Sequence, residues 1–428
     1  MLFSSADFRN RALPIAASQA VGVACGMAGV KLVSRWVPPN VLGIYGVFLT
    51  FTTLGMWFVH LGLVKYVGRH WAAAEDRPAF LRAVARAWVR KLPWLVGATA
   101  AGAVALSLQH GPTGLLIFPL LFGAAALLSI GALAQAALQA VRRHWRDLSI
   151  SVVGSITRTF APPLLYLLTG GANLALYLGF AAHTLCVAIL GILAISVNRN
   201  PAATTSTANI APVYEGALFF RIALASWVLT GLNRWLVAFL YGDTAAGYFT
   251  LGSSIAVIIP SVLSAMFMQY FQPSFYRIGD SAEANKLAKL TRSVDLATAA
   301  FGVSAGLALL ALRLAAPFLV GPLIDAKYSS ALPWILPAGC FSLTTMLAYF
   351  YHVMLLAGRR ETACSRVDLT TAALLIVLAS VGALGGETIF SWTLTASPLL
   401  AVAVTRPMAL AALIRRDESE GPRPSPAR

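Results

Sequence analysis

Residues 227–248, WVLTGLNRWLVAFLYGDTAAGY, read as the outer end of a membrane-spanning helix followed by a tight turn, and Asn233 and Arg234 interrupt the apolar run where the flanks are Leu, Trp, Val and Phe. On insertion scales an arginine near mid-membrane costs about 2.5–3.5 kcal/mol, so such a residue faces a polar interior or a water-filled cavity rather than lipid. The rest of the chain is read for what surrounds that cavity.

Composition sets the class. The chain has 428 residues, is 58% hydrophobic and 11% charged, and has a mean hydropathy of +0.75. A soluble domain needs more polar surface than this. Repeated apolar runs long enough to span about 30 Å at 1.5 Å per residue predict an all-α polytopic membrane protein. The cysteines Cys25, Cys186, Cys340 and Cys364 lie in or beside such runs without metal-ligand or C-x-x-C spacing, which reads as packing rather than a disulfide framework.

The net charge of +16 could suggest nucleic acid, but the placement of the charges points elsewhere. Helices are expected at 13–36, 40–66, 92–109, 114–141, 148–168 and 173–197, then at 216–241, 246–275, 293–320, 331–357, 366–385 and 388–414. With both termini inside, about 25 of the 32 Lys and Arg fall in or beside the inner loops, as the positive-inside rule requires. Outer loops are short and nearly uncharged: PPN at 38–40, HGPTG at 110–114, TGGAN at 169–173. The basic N-terminal residues before a long apolar run are read as leading into an uncleaved first helix.

NRNPAATTSTANIAP at 198–212 is the one linker-like stretch. It divides the chain into an N-terminal six-helix lobe (1–197), a cytoplasmic linker (198–215), a C-terminal six-helix lobe (216–414) and a disordered cytoplasmic tail (415–428). An internal repeat supports the division. A slide of 203 residues brings Tyr45 of VPPNVLGIY onto Tyr248 of YGDTAAGY, puts Lys31 opposite Arg234, and pairs the loop at 75–91 with 279–293. Within 75–91, Leu81, Val84 and Trp88 share one helix face and Arg82, Arg86 and Arg90 another, which suits a helix lying in the membrane interface.

Acidic residues sit at helix ends: Asp147, Glu215, Asp295 and Asp368 at inner ends, Asp243 and Glu387 at outer turns. Basic residues do fall within spans, namely Lys31, Arg158, Arg234, Arg313 and Arg406, with Arg35 at an outer end. Cations without buried carboxylates call for an anionic partner, and the planar arginine fork suits phosphate. These six, with Asn233, are the candidate substrate-binding residues. Each has a plainer reading. Arg35 can snorkel, Arg313 lies near an outer end, Arg406 can snorkel or bond carbonyls freed by Pro407, and Asn233 can bridge helices. His60, His183 and His352 read as satisfied packing residues, and Pro162, Pro163, Pro260 and Pro273 as kinks.

No H-E-x-x-H or Walker motif is present, so no enzymatic activity is expected. The two sets of six helices, the VPPNVLGIY turn, the LGLVKYVGRHW end of the second helix at 61–71 and the YGDTAAGY turn together resemble the polysaccharide-exporter branch of the multidrug/oligosaccharidyl-lipid/polysaccharide exporter (MOP) superfamily, the Wzx-type O-antigen flippases. The resemblance covers about residues 10–414.

It implies a MATE-like pair of lobes around a cavity that opens alternately to each side. It also implies basic residues that engage the diphosphate of an undecaprenyl-linked oligosaccharide, with Lys31 and Arg234, and then Arg158, matching by helix and depth. The expected function is therefore translocation of that lipid-linked oligosaccharide across a bacterial inner membrane for O-antigen or lipopolysaccharide assembly, beside membrane lipids and other glycan-assembly proteins. No cofactor is implied, and movement would be coupled to protons, sodium or the membrane potential. The rival readings are a cation-coupled exporter of drugs or metabolites and a membrane glycan polymerase or transferase.

Overall fold

A computed structural model describes residues 13–60, 63–71, 74, 76–141, 143–196, 216–281, 283, 285–358 and 360–417. The linker at 198–215 and tail residues 418–428 lie outside the described residues. Among the described residues the chain forms fourteen α-helices, joined by turns and two 3-10 segments, Pro112–Ile117 and Ala326–Trp334. In order these are α1 (Leu13–Trp36), α2 (Pro39–His60), α3 (Leu63–His70), α4 (Arg77–Arg90), α5 (Leu92–His110), α6 (Phe118–Ala140), α7 (His144–Leu168) and α8 (Asn173–Ser196). There follow α9 (Gly216–Ala256), α10 (Ile258–Asp280), α11 (Lys286–Leu319), α12 (Ile335–Ala357), α13 (Glu361–Leu384) and α14 (Glu387–Asp417). The last helix thus covers the first three residues of the expected tail.

Ten stretches among the described residues are long and apolar enough to cross a membrane. The twelve expected spans follow from these once two features are taken into account. Helix α7 is absent from the ten, because Arg158 and the Pro162–Pro163 pair lower its hydropathy. The single stretch Gly231–Gly279 is broken at Gly242, whose φ of 83° and ψ of 172° interrupt α9. Only glycine adopts that conformation without strain, so the YG dipeptide of the quoted stretch ends one arm of α9 and starts another. The arms fold back on each other. Arg234 and Ser253 touch at 3.3 Å, whereas a straight helix would hold residues 19 apart at about 28 Å. The chain is an all-α, multi-pass membrane protein.

Two compact units emerge from packing. The first holds α1 to α8 together with 216–227 and Gly231–Ile255 of α9 and the segment Phe318–Ala331. In it α1 packs on α7, α7 and α6 on α8, and α2 on α5 and α6. Its aromatic core joins Tyr45 and Phe48 of α2 to Tyr177 and Phe180 of α8, with Phe48 and Tyr177 centroids 4.7 Å apart.

At one end of this unit the two turns that the repeat relates cross each other. A methyl added at Gly43 would lie 1.9 Å from the Asp243 carbonyl oxygen, and one at Gly247 would lie 1.8 Å from that of Pro39. Side-chain-free backbone at both positions is what permits this approach. The segment Phe318–Ala331 is stitched to the end of α1. Ser34 Oγ accepts from the Asp325 N–H at 3.2 Å, Lys327 Nζ donates to the Arg35 carbonyl at 2.9 Å, and the Tyr328 hydroxyl donates to the Val37 carbonyl at 3.1 Å.

Among the described residues the second unit comprises Ala256–Pro317 and 332–417 with Val228–Thr230. Its core is built on Phe275, Phe301, Phe350 and Met354, and α12 and α13 both pack on α14. A buried Thr344–Ser397 hydroxyl pair at 2.7 Å ties α12 to α14.

At the basic-loop end of the first unit, helix α4 is the amphipathic element expected at 75–91. Asp76 caps it by accepting from the Ala79 N–H at 2.8 Å, and Arg77 lies 5.6 Å from the centroid of the Trp71 ring. Phe80 and Val84 bury against Val67, Trp71 and Ala137, while Arg82, Arg86 and Arg90 stay exposed. Burial lowers the Lys91 ammonium to about 8 and raises the Asp147 carboxyl above its ordinary value, the Gln139 amide at 3.0 Å opposing the latter.

Candidate functional site

The candidate site lies in the first unit, where polar groups of α2, α7, α8 and α9 come within electrostatic or hydrogen-bonding reach of one another. Its construction begins on α7. Thr157 exchanges a hydrogen bond with His183 Nδ1 of α8 at 2.9 Å, and Thr159 donates to the Cys25 carbonyl of α1 at 3.1 Å. Successive helix residues point about 100° apart, so with its two neighbours tied to α8 and α1, Arg158 is turned toward a third direction. There it comes within electrostatic reach of Tyr45 on α2 and Arg234 on α9, as well as of His183.

Proline placement adds to this. Pro162 and Pro163, both buried, lack the N–H groups that would bond the carbonyls of Arg158 and Thr159. Two backbone acceptors without intrahelical donors therefore lie beside the arginine.

Arg234 is placed by the packing of α9 on α2. Trp227 donates its indole N–H to the Thr50 carbonyl at 2.9 Å and stacks near Phe51, with centroids 6.0 Å apart. Gly231 allows the approach, since a methyl there would meet the Thr50 methyl at 2.7 Å. One turn further on, Arg234 is half-buried and donates to Ser253 Oγ. Neighbouring Asn233 is buried, and its Oδ1 has no hydrogen-bond partner among the described residues.

Neither Arg158 nor Arg234 is paired with a carboxylate among the described residues. Arg158 is exposed and Arg234 half-buried; neighbouring like charges repel each other, and an anion between them reverses the sign of that term.

The structure sorts the seven sequence candidates unevenly. Arg158 and Arg234 come together, with Asn233 beside the second. Lys31, which the repeat aligns with Arg234, is engaged by the Gly321 carbonyl of the segment Phe318–Ala331. Arg35 is exposed at the end of α1, and its carbonyl is taken up by Lys327 in the same segment.

Arg406 needs correction as a cavity cation. Its Nε and Nη2 bond both oxygens of Asp295, at 2.9 and 2.8 Å, and the Tyr351 hydroxyl donates to the same carboxylate at 3.2 Å. The freed-carbonyl reading of Arg406 is also displaced, because a carboxylate satisfies a guanidinium better than lone carbonyls do. Arg313 lies on α11 in the second unit and is half-buried. Asn233 was expected to bridge helices, and its oxygen makes no such bond among the described residues.

Sequence reasoning passed over two participants. Ser253 carries no signal in sequence, because only the fold-back at Gly242 brings it to Arg234. Tyr45 marked the repeat and was given no role, although it lies three residues from the buried Phe48 on the face that Arg158 approaches. His183 is the satisfied packing residue expected, bonded to Thr157. His352 is bonded to Asp368 at 2.9 Å through Nδ1, while its Nε2 is buried without a partner among the described residues.

In comparisons of sequence, no family model and no curated protein matches the chain. Solved structures do match. The lipid II flippase MurJ in an inward closed conformation superposes with a TM-score of 0.64, covering 95% of this chain and 87% of that one at 12% identity. The fold is MATE-like. A MATE transporter in complex with MaL6 gives 0.58 over 95% and 96% of the two chains at 13% identity. A variant of the Vibrio cholerae MATE transporter VcmN gives 0.54 over 96% of each at 14% identity.

These neighbours are members of the MOP superfamily, and they are transporters and a flippase rather than enzymes. Identities this low carry the MATE-like fold and nothing finer. The polysaccharide-exporter branch is therefore a matter for proposal.

Proposed function

We propose that this chain is a flippase that carries an undecaprenyl-diphosphate-linked oligosaccharide from the inner to the outer leaflet of a bacterial cytoplasmic membrane, for surface-polysaccharide assembly. The observation that carries the reading is the convergence of Arg158 and Arg234 from separate helices without a carboxylate between them among the described residues. A diphosphate offers two adjacent anionic groups, one for each guanidinium fork. The lipid-linked cargo in the name of the MurJ neighbour supports the same class of substrate.

In this reading the two six-helix lobes set apart by the linker rock about the site, and both termini lie in the cytoplasm, on the side of the basic loops. The arginines replace water around the diphosphate as it leaves the headgroup layer. Tyr45, Asn233, Ser253 and the two carbonyls next to Pro162 and Pro163 supply neutral partners for sugar hydroxyls. Translocation makes and breaks no covalent bond, so no catalytic group is required.

The test is transbilayer movement of a lipid-linked diphosphate oligosaccharide in proteoliposomes, with surface glycan in cells as the second readout. Each charge-assisted bond contributes about 1.5–3 kcal/mol, so Arg158→Ala and Arg234→Ala should each lower movement on the order of ten- to a hundredfold. Unchanged movement in both variants, with normal protein in the membrane, sinks the assignment.

A further inference from the structure

A groove of about 320 Å³ opens between α4, α6 and α8, at the end of the first unit where the basic loops emerge. Its wall is almost wholly apolar: Leu81, Ala85 and Trp88 of α4 face Leu133 of α6 and Ile192 and Ile195 of α8. The volume sits at the lower end of the range for small-ligand sites. Trp88 does not swing freely, because its indole N–H donates to Ser129 Oγ of α6 at 2.8 Å. Ala85 and Ile192 are exposed, so the groove is open to a ligand from outside the bundle.

The direction in which charge lies is set by the helix itself. At 100° per residue, Phe80, Val84 and Ala87 turn into the protein, Leu81, Ala85 and Trp88 turn into the groove, and Arg82, Arg86 and Arg90 follow next around the helix. All three arginines are exposed, and Trp94 beyond them, at the start of α5, is 59% exposed, as an interfacial anchor would be. An apolar slot with Arg82 next around the helix from Ala85, and Arg86 and Arg90 further round, matches one kind of partner: an amphiphile with an acyl chain and an anionic head.

We propose that this groove binds an anionic glycerophospholipid of the surrounding membrane, one acyl chain in the slot and the phosphate on Arg82, Arg86 and Arg90. The site is independent of the Arg158–Arg234 site and of the flippase reading. It makes α4 a lipid-fastened element, and it ties that helix, and Lys91 at its end, to the headgroup layer.

The test uses the full-length protein in detergent, titrated with phosphatidylglycerol and, separately, phosphatidylcholine, with retained lipid counted by native mass spectrometry. Wild type should retain phosphatidylglycerol about tenfold more strongly than phosphatidylcholine, the scale expected of a few arginines against an anionic head. The Arg82→Gln, Arg86→Gln, Arg90→Gln triple variant should lose that preference while keeping its melting temperature. Ala85→Trp should block the slot and lower retention of both lipids, and Ile192→Trp does the same from the opposite wall should the first variant fail to fold. Equal retention of the two lipids by wild type, or a preference that survives the triple variant, overturns the proposal. Unaltered phosphatidylglycerol retention in a folded slot-filling variant overturns it as well.

Discussion

Two arginine sites, one in each packing unit, have opposite surroundings. Arg406 is held bidentately by Asp295, which also accepts from Tyr351, so its charge is spoken for within the unit. Arg158 and Arg234 approach each other with hydroxyl and carbonyl groups around them and no carboxylate among the described residues. The first arrangement stabilises a fold by itself. The second is unfavourable until something anionic arrives, which is the signature of a receiving site rather than a fastening. The same residue type in apolar helices therefore serves opposite ends, and its acidic neighbours decide which.

The most forceful way to break this contrast is to give the Arg158–Arg234 site what Arg406 already has. Ser253→Asp would place a carboxylate against Arg234, and it should abolish flipping in proteoliposomes while raising the melting temperature. Flipping at the wild-type rate would erase the distinction between the two sites. Next in size is the crossing that closes one end of the first unit. Gly247→Ala should destabilise the detergent-solubilised protein by about 1–3 kcal/mol, since a methyl 1.8 Å from a backbone carbonyl forces the helices apart. Thermal unfolding of the variant measures it.

A smaller effect compares the arginines directly. Arg406→Gln should lower stability by about 1 kcal/mol, a modest figure because the pair is partly exposed, at 47% and 28%. Arg158→Gln should leave stability unchanged or raise it, because it relieves a like-charge contact. Melting temperatures that fall equally in both variants would remove the contrast.

The smallest effect is the pH response of Lys91. Its ammonium is lowered by burial from 10.5 to about 8, so the folded state sheds its proton first. Below pH 8 the penalty of the buried charge is present in full. Between pH 8 and 10.5 the folded protein binds fewer protons than the unfolded, and stability rises with pH. Lys91→Met should therefore melt higher than wild type at pH 7, with the gap closing as pH climbs through that window. A gap that is constant with pH would mean the substitution acts through packing instead.

Much of the architecture was legible before any coordinates. The helix positions, the break at Gly242 and the amphipathic helix at 77–90 follow from hydropathy, glycine conformation and a 3.6-residue period, all properties of a few neighbouring residues. The site was legible only in kind. That Arg234 is polar-facing could be read from the price of an arginine in lipid, and the repeat aligned it with Lys31, but only packing gave Lys31 to the Gly321 carbonyl and set Arg234 on Ser253 within electrostatic reach of Arg158. Arg406 could be read as snorkelling or as bonding freed carbonyls, and only the packing of α11 showed Asp295 against it.

What the sequence by itself determined is that this chain is a helical membrane protein carrying more cations in its spans than acids to balance them, because hydropathy and charge are local and additive. Only the tertiary structure decided which of those cations share a site and which are neutralised. That choice depends on which helices touch, and residues such as Thr157, Thr159 and Gly231, unremarkable along the chain, set those contacts.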